Sequence, residues 1–575
     1  MSTQATVHNA HASPETALTM LATTPSATEI DAVGSEKKDT KPISDTSTHN
    51  GGDDCIEKPT GLALCILLAA VFSSGFLMAL NGSMVATALP QITTHFHSLK
   101  DIGWYGSAYL VSTCTMQPLA GKIYTHFPIK VTYLAFSFIF FIGSLLAATA
   151  TTSAVVIVGR GVQGIGGAGI VNGAFMTIAA AGPEGNKPIL VGVAVTLGTI
   201  GSITGPMIGG ALTEISWRWC FYVNLPAGGL VLCAFWLIKI PEQMRKPPVR
   251  PNLKKIITEE LDLVGFLLFA PACIMLLLAI AWGGNEYSWA SPTIIGLFCG
   301  AFVTSLIFGF WEFKKGETAM IPPRFLRNNL VVFGCCTSCF QNGGMLLLSY
   351  YLPLWFQVVK NASPTMSGVD VLPTAISQAL SAVMVGKLVQ VIGYCTPWAI
   401  FGAVVASIGG GLLTTLHPPS TTADWIGYQV LIGFGRAPGV QMPVTAVQGL
   451  LKPNEVALAT SQIFFFQYLG AAVFISVGET IFSNTLRTGI QSNAPNLDAE
   501  AIIAAGAFGF RSFVAEKDIP GVLQAYNHAI TTTYYLALGG TCAAFFTSFG
   551  MGWQRLPKRN KSTKKAEKDS EEDTA

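Results

Sequence analysis

Charge is what this chain has least of. Only 11% of its 575 residues are Asp, Glu, Lys or Arg, against about 25% in soluble globular domains, which excludes a water-soluble globular body. The net charge of +2 says little, because the placement of the cations matters more than their sum. No histidine falls inside any apolar stretch, so no imidazole is expected as a mid-membrane proton carrier. The 12 cysteines lie mostly within apolar stretches. Cys335-Cys336-x-x-Cys339 has no second Cys/His pair beside it, so no metal site is expected and these thiols read as small buried hydrophobes. No cleavable leader is expected either, since a polar segment precedes the first apolar run. Segments outside the apolar runs are too small for an ATPase domain, and no His/Asp/Cys set shares a common depth. Nucleotide-driven transport and enzymatic chemistry are both disfavoured.

What is present is hydrophobic: 50% of the chain, with mean hydropathy +0.49. Fourteen candidate spans centre near residues 74, 112, 140, 166, 200, 229, 271, 302, 343, 379, 405, 437, 469 and 541. The expected fold class is an all-α membrane protein. Residues 1–59, rich in Ser, Thr, Ala and Asp, are expected to be a disordered cytosolic tail. A first six-helix bundle is expected over 60–240, a cytosolic loop with an inserted helix pair over 241–328, and a second bundle over 329–553. The second bundle carries a polar loop at 483–530, and a basic/acidic tail follows over 554–575. Lys122, Lys130, Arg245, Lys246, Arg250, Lys254, Lys255, Lys314, Lys315, Arg324, Arg327, Lys387 and Lys452 all fall in one set of alternate loops. The positive-inside rule then puts both termini in the cytosol.

The most informative stretch runs from Gly192 to Gly210. It is uncharged and long enough to cross a bilayer core of roughly 30 Å. At helical pitch Gly201, Gly205 and Gly209 share one face, with Gly192 and Gly210 on the opposite one. Small residues let neighbouring backbones approach where lipid gives helices no hydrophobic reason to associate. Pro206 leaves the Ser202 carbonyl without its helical donor, so a bend and a hinge are expected there.

The chain also repeats itself. Asn81-Gly82 is matched by Asn342-Gly343, Gly121-Lys122 by Gly386-Lys387, and Gly159-Arg160 with Gln163 by Gly435-Arg436 with Gln441. Three matches in order imply a duplicated six-helix unit, of the kind related by an axis along the membrane normal. Gly159-x-Gly161-x-x-Gly164 also fits a dinucleotide fingerprint. Within an apolar helix, close packing explains those glycines better.

The spacing Gly192, Gly201, Gly205, Pro206, Gly209, Gly210, followed by Trp217-Arg218-Trp219 and Asn224-Leu-Pro226, resembles the antiporter motif and helix-six start of the major facilitator superfamily's fourteen-span drug:proton antiporters, common in fungi. Arg160-x-x-Gln163-Gly164 is similar to that family's helix-four motif, Leu80-Asn81-Gly82 to its helix-one motif, and Gly121-Lys122 to its loop between helices two and three. The resemblance implies two six-helix bundles plus two extra helices. It also implies export of drugs, toxins or secondary metabolites in exchange for protons, with no cofactor beyond the proton gradient.

Two departures matter. The helix-one motif usually begins with aspartate where Asn81 stands, and an amide cannot exchange a proton. The loop motif usually carries an acid that latches alternate states; here Lys122 and Lys130 keep only its positive half. Proton-coupling or gating candidates are therefore Arg160, Asn81, Arg436 and Lys122. Cavity candidates are Gln117, Gln163, Gln341, Tyr351, Gln441, Phe465 and Gln467, since a drug site is mostly apolar with a few polar fixers. The expected partners are a small-molecule substrate, protons and the bilayer, with no nucleic acid and a monomeric state. The expected home is the plasma membrane, with the vacuolar membrane as the alternative. Uptake of a siderophore or nutrient, and a non-transporting receptor or scaffold on the same fold, are the rival readings.

Overall fold

Helices α1 (Gly61–Phe96), α2 (Ile102–His126), α3 (Ile129–Ala148), α4 (Ser153–Ala181), α5 (Lys187–Ile215) and α6 (Asn224–Leu237) form one lobe. A pair follows, α7 (Leu263–Trp282) and α8 (Pro292–Lys315). The second lobe comprises α9 (Asn329–Val359), α10 (Leu372–Ile392), α11 (Thr396–Leu413), α12 (Thr422–Leu450), α13 (Pro453–Asn493) and α14 (Ile519–Phe549). This computed structural model describes residues 59–97, 101–183, 185–242, 246, 253–284, 287–503, 510–512 and 514–557. The expected tail over 1–59 lies outside them except for its last residue, as do Arg245, Arg250 and most of the tail over 554–575. Among the described residues, 11 helical stretches are long and apolar enough to cross a membrane. Helices α2, α12 and α14 have the length but a more polar composition.

Helix α5 packs along α1 through its small-residue face, as the periodicity implies. A Cβ on Gly201 would sit 2.5 Å from the Phe76 carbonyl, one on Gly205 would strike Ser83 Oγ, and one on Gly209 would lie 2.6 Å from Met84. Gly192 faces the other lobe, against Gln441 of α12 and the Ala382 carbonyl of α10, whereas Gly210 has open space beside it. Pro206 is exposed and the helix runs through it without a break.

Glycine contacts of the same kind recur at equivalent places. Gly159 packs against Ala147 on α3, and Gly435 against Ala406 on α11. The fingerprint-like glycines of α4 thus serve helix packing: Gly164 abuts the Tyr109 carbonyl and Gly166 abuts Phe140.

The lobes meet along two matched seams. On one, Gly121 of α2 sits against Ser461 and Ala457 of α13; on the other, Gly386 of α10 sits against Ile189 of α5. The repeated Gly-Lys pairs therefore mark where each lobe's second helix crosses the other lobe's fifth. At the end carrying Lys122 and Lys387, one apolar core holds residues of both lobes, including Tyr124, Ile178 and Ala181 with Val389, Val447 and Phe464. Phe175 and Phe464 rings lie 4.8 Å apart there. At the opposite end each lobe has its own core, Met84, Tyr105 and Phe221 in the first and Leu347, Trp355 and Tyr534 in the second, with Ile203 of α5 packed against the latter. The bundle is closed at its lysine-bearing end.

The inserted pair covers the α2–α13 seam, where Phe269, Cys273 and Leu277 pack with Cys114, Met320 and Phe465. Most of α8 is exposed, with Phe302, Phe310 and Phe313 facing outward as lipid-facing side chains do.

Two expectations change because helices overrun their apolar stretches. Helix α13 continues to Asn493 and α14 starts at Ile519, so less of 483–530 is loop, and what remains packs through Ile502, Phe510 and Val514 onto Val358, Ile490 and Tyr526. His95 and His126 lie in the last turns of α1 and α2 and His528 lies on α14, so the helices do contain histidines, outside the most apolar segments.

Because Gly205 has no room for a side chain and Gly210 has, Gly205→Leu is expected to lower the melting temperature of the purified protein by several degrees. Gly210→Ala should leave it within a degree. A fluorescence-detected thermal melt checks both.

Candidate functional site

A polar network runs through the first lobe. Arg160, 1% exposed, donates from Nε to the Tyr105 carbonyl at 3.0 Å and from Nη1 to Gln163 Oε1 at 2.9 Å. Its guanidinium lies 4.5 Å from the centre of the Tyr109 ring, a cation–π contact. Gln163 Nε2 donates onward to Ser144 Oγ at 2.6 Å, and Asn224 Nδ2 reaches both Ser144 Oγ (3.3 Å) and Asn81 Oδ1 (3.0 Å). Five helices, α1 to α4 and α6, are thereby tied by groups that lipid could not satisfy. Asn81 thus accepts a neutral amide hydrogen bond inside the lobe. A cavity of about 30 Å³ beside this chain is lined by Asn224, Ser74, Tyr133 and Ser137.

The other candidates separate into three groups. Gln117 accepts from Asn172 Nδ2 within the first lobe. Gln441 donates from Nε2 to the Pro188 carbonyl, joining α12 to α5 across the lobes, while Gln341 packs on Gly439. The Tyr351 ring lies tilted against Phe482 at 5.4 Å, the Gln467 carbonyl accepts from Asn342 Nδ2 at 2.9 Å, and Phe465 meets Phe269 of the inserted pair at 5.2 Å. These side chains occupy several places, and no single chamber gathers them among the described residues.

Arg436 is the first lobe's Arg160 repeated on α12. It is 5% exposed, donates from Nη1 to Ser349 Oγ at 3.3 Å, and lines a cavity of about 20 Å³.

Lys122 of the loop motif finds its partners elsewhere in the chain. Lys122, 4% exposed, donates from Nζ to the Glu260 carbonyl at 3.0 Å and the Thr318 carbonyl at 2.8 Å. Asp262 and Glu312, both buried, lie on the same inserted segment without forming an ion pair with it. Asp262, in a left-handed conformation at φ 49°, caps α7 by accepting from Gly265 N, and also accepts from Trp311 Nε1 and Met320 N. Glu312 accepts from the same Met320 N and from Ile321 N. Gly265 is required because a Cβ there would lie 2.4 Å from Asp262 and 2.9 Å from Glu312. Lys130 has a different role: its Nζ caps the end of α6 on the Trp236 and Ile238 carbonyls.

Lys246, outside the spans, bonds the carbonyls of Tyr124 and Phe127 and pairs with Glu242 at 2.9 Å. Burial pushes its ammonium below the usual lysine range, and Glu242 pulls it partly back.

Sequence reasoning missed Ser144, Tyr105 and Asn224 as network members. Asn224 alone left a signal, as a polar residue between the tryptophans and Pro226.

Two duplicated six-helix lobes with matched seams and buried polar ties between spans define a polytopic transport protein. Residues 71–475 match the Major Facilitator Superfamily family profile, and the chain belongs to that superfamily. It is 43% identical over 525 residues to the MFS-type transporter pigP of Monascus ruber (89% of this chain, 92% of the relative). It is 42% identical over 536 residues to the efflux pump mlcE of Penicillium citrinum (91% and 96%) and 44% identical over 500 residues to the efflux pump mokI of Monascus pilosus (86% and 92%). Among solved structures it resembles the human organic anion transporter MFSD10, with TM-score 0.55 at 14% identity over 84% of this chain and 99% of that one. The proton:xylose symporter XylE gives TM-score 0.51 at 14% identity, over 83% and 94%. At that identity these two show the fold alone.

Asp262→Ala is expected to leave the Gly265 amide and the Trp311 indole without acceptors and the Met320 amide with Glu312 alone. The cost is on the order of 3 kcal/mol, read as a clear drop in melting temperature, while Lys130→Gln should cost less than half as much.

Proposed function

We propose that the protein exports small organic molecules, toxins or secondary metabolites among them, by alternating access in exchange for protons. The carrying observation is near-full-length identity above 40% to proteins named efflux pumps. The glycine face of α5 supports it. That helix packs on α1 within its own lobe and touches α10 and α12 of the other, so a change in its bend would move one lobe against the other. With the lysine-bearing end cytosolic, as the positive-inside rule has it, the structure is closed towards the cytosol, one of the two states that alternating access requires.

All fourteen long helices cross the membrane in this reading, both termini are cytosolic, and the protein works as a monomer in the plasma or vacuolar membrane. The proton gradient is its energy source. Arg160 and its network hold the first lobe in register, and Lys122, through the carbonyls of Glu260 and Thr318, fastens α2 to the inserted pair.

Expression in a yeast strain stripped of its own exporters is expected to lower accumulation of at least one dye or toxin in a panel. A proton ionophore should abolish that difference. Raised accumulation would favour uptake, and no change across the panel would overturn export. Arg160→Lys keeps the charge but loses the planar fork, so efflux is expected to fall at least about ten-fold with surface expression retained.

A further inference from the structure

The duplication puts one arginine at the same place in each lobe, and their surroundings treat them differently. Arg160 has a carbonyl, an amide oxygen and an aromatic face. Arg436 has one long hydrogen bond, to Ser349 Oγ at 3.3 Å, and its Nε–H has no partner. Among the described residues no ion pair neutralises it. A guanidinium held out of water without a counter-charge is expensive. The fold keeps it there, beside a cavity of about 20 Å³ walled by Leu348, Leu352, Val371, Leu413 and Ile432. Thr374 supplies a second polar atom, and Ile203 of α5 closes the space from the other lobe.

We propose that Arg436 is the anchor for an amphipathic substrate bearing a carboxylate. The free edge of the guanidinium takes the acid group as a planar fork takes a carboxylate, and the apolar walls take the adjoining hydrocarbon. The present space fits only a water-sized group. Because Ile203 belongs to the opposite lobe, separation of the lobes enlarges the site and their approach closes it. This deepens the transport reading by naming a substrate class and rests on it for physiological meaning, while the binding site itself stands on geometry.

The test uses the full-length chain purified in detergent and titrated with 11-(dansylamino)undecanoic acid and its methyl ester, followed by dansyl fluorescence. The acid is expected to bind about ten-fold tighter than the ester. Arg436→Gln should weaken the acid to the level of the ester while leaving the ester within about two-fold, and Arg436→Lys should keep part of the preference, since a point charge remains. Arg436→Gln should also melt no lower than the parent, because it removes an unpaired charge; a scaffold role would lower it. Equal affinity for acid and ester in the parent, binding of neither, or a preference that survives in Arg436→Gln would each overturn the assignment. A negative efflux assay in yeast would leave this binding difference in place, so the two readings fail separately.

Discussion

Helices surrounded by lipid gain nothing from hiding apolar surface, since the solvent is as apolar as they are. What holds them is close approach of backbones, and this protein obtains it from glycines at crossings. Gly201, Gly205 and Gly209 seat α5 on α1, Gly159 seats α4 on α3, Gly435 seats α12 on α11, and Gly121 and Gly386 seat the two seams between lobes. Each contact is nearly backbone to backbone, so dispersion is gained over many atoms and a single added methyl is felt. The two seams lie on equivalent helices, the second of each lobe against the fifth of the other.

The second device is buried polarity. The chain Tyr105–Arg160–Gln163–Ser144–Asn224–Asn81 satisfies in one lobe groups that hydrocarbon would leave bare. The second lobe keeps the arginine and omits most of the partners. The two halves of the duplicated unit thus surround the same cation differently: Arg160 has three partners and Arg436 one.

The inserted pair is more than a spacer. Its two ends supply Asp262 and Glu312, and the chain around them supplies the carbonyls of Glu260 and Thr318 that hold Lys122. A lysine that stands without an acid in its own loop is thereby given its acceptors by a helix pair far along the chain. Both carboxylates converge on the Met320 amide, which fixes the end of α8 against the start of α7.

The sequence by itself determined the helix order, the duplication, the packing face of α5 and the lysine-bearing end, because each rests on local period and composition: glycines every four residues, apolar runs of bilayer length, cations between them. Gly192 and Gly210 share a helical face, yet only Gly192 meets another lobe, and nothing local distinguishes them. Only the tertiary structure decided that, along with the partners of Lys122, the dispersal of the polar candidates over several contacts, and the difference between Arg160 and Arg436. Helical period says which residues look the same way, whereas what they look at is set by helices hundreds of residues distant.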